Sequence, residues 1–189
     1  MPTLEARGEP ELAMRPLLRE ATRALHEQIE TVWAPAGAFE SEKAYRSFLS
    51  TLMRIHRQVG LTAAMARGDT EEVDEEQRRL SALAADLDAS PAGARPARTL
   101  GADYAWGVGY VLNGSCLGAA MLLKSGGLGP EWPRRYLYLG RDFAKSGRLR
   151  RYFERLNALP LDREAVERGA LETFGMFKDS GAEAEDIGR

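Results

Sequence analysis

The sequence predicts an all-α fold, a single-domain helical bundle, on three observations. Apolar residues recur every three or four positions through most of the chain. No convincing alternation of apolar and polar residues marks a strand. Glycine, proline and small polar residues fall at the ends of the periodic stretches. A chain of 189 residues can bury one core of ordinary size without a staple.

Residues 1–14 are polar, with Gly8 and Pro10, and are expected to form a flexible N-terminal segment. The helical domain is expected over 15–180, followed by a C-terminal tail at 181–189. Pro16 suits a first helical turn, after which Leu18, Ala21, Leu25, Ile29 and Val32 form a stripe that Pro35 and Gly37 end. Ser41 reads as an N-cap for a second helix with Tyr45, Phe48, Leu52, His56 and Val59 on one face, which Gly60 bends. Asp69 and Glu72 read as a capping box opening a charged helix through Leu87. Pro91, Gly93 and Pro96 make 88–98 a loop. An apolar helix then runs from about 99 to 124 and stops at Gly126–Gly127. Helical patterns at 134–143 and 147–158 precede Pro160. Asp162 caps a last helix carrying Ala165, Val166, Ala170, Phe174 and Phe177.

The formal net charge of −2 argues against a nucleic-acid surface and gives no general attraction to an acidic membrane. The only cysteine, Cys116, rules out an internal disulfide and reads as a small buried thiol. Glu5, Glu9 and Glu11 stand where a secretory leader would need an apolar run, so the expected location is cytoplasmic. The longest apolar stretch, Tyr104 to Leu123, is interrupted by four glycines, Asn113 and Ser115. It is read as a buried helix, without membrane insertion. Two motif matches carry no chemistry. Asn113-Gly114-Ser115 fits a glycosylation sequon inside an apolar helix, and Gly140 through Lys145-Ser146 lacks the second glycine of a phosphate-binding loop.

The chain holds two histidines. Arg19 and Arg23 precede His26 by seven and three positions and Glu30 follows by four, so all four share one side of a helix. A haem needs a neutral imidazole on iron, a partner for the other ring nitrogen and cations for two propionates, which these residues can supply. An ordinary half-exposed face with Arg–Glu pairs fits the same spacing. His56 lies on an apolar stripe with Met53 and Leu49 before it, and is expected to be a core histidine with a satisfied hydrogen bond. Gly107, Gly109, Gly114 and Gly118 form a second cluster. Each costs close to ~1 kcal/mol in a helix, so either another helix packs tightly there or a flat ligand lies against the backbone.

Four stretches together resemble the haem oxygenase family, above all its bacterial biliverdin-forming branch that accompanies phytochromes. They are Leu18-Arg19-x-Ala21-Thr22-x-x-x-His26; Tyr45-x-x-Phe48-Leu49 with His56; Gly109-Tyr110-Val111-Leu112-x-Gly114-Ser115-x-Leu117-Gly118; and Ala170-x-x-Thr173-Phe174-x-x-Phe177. The resemblance spans about 18–177 and implies a helical bundle of the haem oxygenase type. It implies His26 as the proximal iron ligand, Gly114, Ser115 and Gly118 as the catalytic distal wall, and Arg19 and Arg23 facing the propionates, with Glu30 beside His26. It implies cleavage of haem, at once substrate and cofactor, to biliverdin, carbon monoxide and ferrous iron. The co-reactants would be O2 and electrons from an external reductant, a ferredoxin or a flavodoxin-type reductase, and a phytochrome could receive the product. The sequence departs from the family pattern at four places. Asn113 and Gly60 stand where glutamates are usual, Ala119 where a second glycine is, and Ser115 where mammalian-type members carry aspartate. Competing readings are a haem storage or sensor protein without turnover, a di-metal oxidase, which would need more histidines, and a pure interaction bundle.

Overall fold

The computed structural model describes residues 13–33, 39, 41–90 and 99–186. The expectations placed on 1–12, on Pro35 and Gly37, and on 91–98 lie outside them. The chain is all-α, and the described residues contain no strand. Helix α1 is Met14–Trp33. Helix α2 is Glu42–Ile55 and continues through a π-helical turn, His56–Gly60, into α3, Leu61–Ala66. Then follow α4 Thr70–Asp86, α5 Ala102–Ser125, α6 Arg135–Lys145, α7 Arg148–Ala158 and α8 Arg163–Asp186.

The caps follow from the sequence chemistry. The Ser41 hydroxyl accepts from the Ala44 N–H at 3.1 Å, and Asp162 Oδ1 accepts from Glu164 and Ala165 at 3.0 and 3.4 Å. Gly126 closes α5 with φ 72°, a conformation that favours glycine. Asp69 Oδ1 takes the Glu71 and Glu72 N–H groups at 3.0 and 3.3 Å. The expected capping box is not closed, because the Glu72 carboxylate turns to Arg67. The C-terminal boundary also moves: α8 continues to Asp186 rather than giving way to a tail at 181.

Helix α5 is the centre of the bundle. It packs on α8 and α6, burying Trp106, Val108, Val111 and Leu112. By length and composition alone it could cross a membrane, but half of its most apolar window is buried against its neighbours. Two glycines set the α5–α8 spacing. A Cβ at Gly107 would strike the Val166 carbonyl, and one at Gly169 would strike the Tyr104 carbonyl. Helix α1 leans on α8 with Leu18 and Thr22 buried, and hardly touches α5 directly.

Candidate functional site

Helices α1 and α5 carry most of the residues singled out in the sequence. On α1, Arg15, Arg19, Thr22 and His26 follow at steps of four, three and four, so they share a face. On α5, Tyr110, Gly114, Leu117, Gly118 and Met121 do the same. The two faces meet where the Tyr110 phenol lies against the Thr22 hydroxyl, with Arg15 and Arg19 close by; burial pushes that phenol up in pKa. Beside this contact a cavity of about 310 Å³ is lined by Arg15, Leu117, Leu149, Arg150 and Phe153, with the Arg15 guanidinium 4.1 Å above the Phe153 ring.

His26 is exposed, one turn beyond Thr22. Its Nδ1 lies 3.4 Å from Glu30 Oε1, and its ring meets Phe174 of α8 edge-on at 5.9 Å. The carboxylate stands near one ring nitrogen, and no described residue bonds Nε2. Arg23, expected to face the same ligand, bonds Glu20 at 2.9 Å, with both side chains exposed. No described contact joins His26 to Gly114, Ser115 or Gly118, and none of the four lines the cavity beside Arg15.

The glycine cluster divides in two. Gly107 and Gly109 are closed: their Cβ positions fall on α8 backbone, and on the Tyr152 phenol and Arg67 guanidinium. Gly114 and Gly118 are open: beyond their own helix backbone, no atom of the described residues lies within 4 Å of an added Cβ. Beside them Leu117 is 46% and Met121 69% exposed. Helix packing accounts for the first pair and not for the second.

Behind this face lies a buried polar cluster that sequence reasoning caught only at His56. The His56 ring is fully buried, as expected, with Nδ1 against the Glu76 carboxylate and Nε2 3.0 Å from the Tyr136 hydroxyl. That hydroxyl is 3.4 Å from Ser115 Oγ, which donates to the Leu112 carbonyl at 2.8 Å. Arg79, also buried, donates to Glu76 at 3.3 Å and to the Asn113 amide oxygen at 2.9 Å. Gly60, at the end of the π-helical turn, makes room for the cluster: a Cβ there would fall on the Glu76 carboxylate. The carboxylate that the family resemblance expects at position 60 is brought in from α4 instead. The signal for Glu76 and Arg79 was weak, since both sit in a charged helix that reads as solvated. Among the described residues no three His, Cys, Asp or Glu side chains gather as a metal site.

Burial opposes ionisation of Glu76, but His56 and Arg79 outweigh it and hold the carboxyl below its usual range. An unfolded glutamate titrates near ~4.3, so between the two pKa values the unfolded chain binds the extra proton. The stability Glu76 confers is therefore complete above about pH 5 and declines as pH falls through the carboxylate range. Denaturant midpoints of the wild type and Glu76→Gln, measured from pH 7 to pH 3, should converge on acidification; a constant gap would refute the assignment.

Compared with family models, with curated proteins and with solved structures, the chain gives no match.

Proposed function

We propose that the chain is a haem oxygenase, of the helical type that its sequence resembles, and that haem occupies a slot between α1 and α5, beside the contact of Thr22 with Tyr110. The observation that carries this reading is the open pair Gly114 and Gly118: two helix-weakening residues that no contact among the described residues explains, on a face flanked by exposed apolar side chains. The residues fit the group. His26 presents an Nε2 that no described residue bonds, with a carboxylate near the other nitrogen, Leu117 and Met121 suit a porphyrin face, and Arg15 and Arg19 stand at the rim as propionate partners. Arg23 is a weaker candidate for that role because Glu20 engages it.

Haem, when bound, supplies both the iron at which O2 is reduced and the macrocycle that is opened to biliverdin. The protein's own contribution lies in position and protons. Without side chains at 114 and 118, the α5 wall can approach the ligand closely. Ser115 sits between those glycines with its hydroxyl beside Tyr136, and His56 Nε2 bonds the same phenol. The His56 ring, the Tyr136 phenol and the Ser115 hydroxyl form one chain of hydrogen-bonding contacts through which a proton can be relayed to Ser115 Oγ. This answers the weakness of serine as an acid: the hydroxyl need only relay. Asn113, where a glutamate is usual, accepts from Arg79 and so helps hold Arg79 against Glu76.

Adding haem should give a histidine-ligated absorption spectrum. His26→Ala should lose it and His56→Asn should keep it. Asparagine is the control because His56→Ala would strand the Glu76 carboxylate. Loss of the spectrum in the His56 variant alone would overturn the ligand assignment. Ferredoxin, its reductase and NADPH in air should then yield biliverdin; haem uptake without product would favour storage or sensing.

A further inference from the structure

The charges of the chain are unevenly placed. Between Arg134 and Arg155, eight arginines and lysines stand against two acids, an excess of six positive charges. The remaining residues then carry an excess of eight negative charges in a chain of net −2. The positive charge gathers at the corner between α6 and α7, where Lys145, Arg148, Arg150 and Arg151 fall within seven residues. The first turn of α7 holds no acid, so Arg148, Arg150 and Arg151 oppose its dipole and one another, while Lys145 stands close by in the last turn of α6. The geometry crowds them further. The point where a Cβ of Gly147 would stand lies 3.9 Å from an Arg151 nitrogen and 4.0 Å from an Arg150 nitrogen, so the two guanidinium groups converge over the corner.

Acids neutralise only part of this charge. Arg148 is drawn inward to Glu75 at 2.6 Å, Arg150 is 3.7 Å from Glu154, Arg155 pairs with Asp69, and Arg141 with its neighbour Asp142. Lys145 and Arg151 are exposed and form no ion pair among the described residues, whereas Arg135, also exposed, lies in the field of Asp86. The corner also borders the slot, because Arg150 lines the same cavity as Arg15 and Leu117.

We infer that the α6–α7 corner is the docking surface for an acidic electron-donor protein. The inference rests on the function proposed above, which needs electrons delivered from outside at the slot. A compact acidic protein fits better than a nucleic acid. The basic area is one corner, and a long polyanion would run from it onto the negatively charged remainder of the surface. Complementary charge of this kind steers encounter and fails at high salt.

The probes are an acidic plant-type ferredoxin and a single-stranded DNA oligonucleotide, with the full chain in apo and haem-loaded forms. In Lys145→Glu/Arg151→Glu, affinity for the ferredoxin at low salt should fall about tenfold or more and its salt dependence should flatten, as loss of a steering patch requires. Reduction of the bound haem by ferredoxin should slow in parallel, while reduction by dithionite stays unchanged. The same reversal at Arg163 and Arg168, exposed on α8, should leave all of these near wild type. Equal losses in both double variants, or none in the first, would overturn the inference. So would DNA binding that is tighter than ferredoxin binding and lost in the corner variant. If the chain takes up no haem but still binds ferredoxin through this corner, the proposed function falls and the acidic docking surface stands.

Discussion

Arg79→Met should destabilise the apo-protein by about 3–5 kcal/mol, the usual cost of removing one partner from a buried ion pair. Arg79 is buried among Glu76 at 3.3 Å, Glu75 Oε1 at 3.8 Å and the Asn113 oxygen at 2.9 Å, and its guanidinium lies 4.6 Å from the Phe143 ring centroid. Methionine keeps much of the stem and the contact with Phe143 but leaves the Glu76 charge with His56 alone. The expected signature is a denaturation midpoint shifted with little change in slope, and a melting temperature lower by about 6–20 °C for a domain of this size. Adding Glu76→Gln to Arg79→Met should recover part of the loss, since the stranded charge is then gone. A loss under about 1 kcal/mol would mean that water reaches Glu76, and the cluster would count as surface electrostatics.

What the sequence reveals and what it hides divide along this cluster. Apolar periodicity locates the helices because burial is a repeated local demand: Leu18, Leu52, Leu83 and Val166 sit at helical spacing and are buried. Ser41, Asp162 and Gly126 mark ends because their chemistry acts within three residues. Glu75, Glu76 and Arg79 are different. In sequence they belong to a run of charges that reads as a solvated face, and only the fold shows that α4 turns this edge inward to meet His56, Asn113 and Tyr136. The partner of His56 is twenty positions away and that of Asn113 thirty-four, beyond any local rule. Position 60 makes the same point. A glycine where a glutamate is expected reads as a loss until the structure places the Glu76 carboxylate in the space it leaves. At the candidate site, His26 and Glu30 were legible because both lie on one helix. Arg15 was not, because its place at the slot depends on Phe153 of α7 and Leu117 of α5.

Gly107→Ala and Gly118→Leu should have opposite effects, although both residues lie in one helix eleven positions apart. A methyl group at Gly107 meets the Val166 carbonyl, which is backbone of α8 and cannot rotate away. The two helices must separate, so the apo-protein should lose about 1–3 kcal/mol or more, the range of overpacked cores. At Gly118 no described residue beyond its own helix backbone lies within 4 Å, and leucine is the better helix former by nearly ~1 kcal/mol. The Gly118→Leu apo-protein should therefore be as stable as wild type or slightly more so. Its side chain would instead fill the space between α5 and the ligand proposed for the slot. Haem should bind more weakly or in a displaced pose, and biliverdin formation should fall at least about tenfold, the loss that a barrier higher by ~1.4 kcal/mol produces. Apo stability and product yield, measured on both variants, test the division between closed and open glycines. If Gly118→Leu turned haem over at the wild-type rate while remaining fully folded, the α5 face would not be the wall of the site, and the slot reading would fail with it.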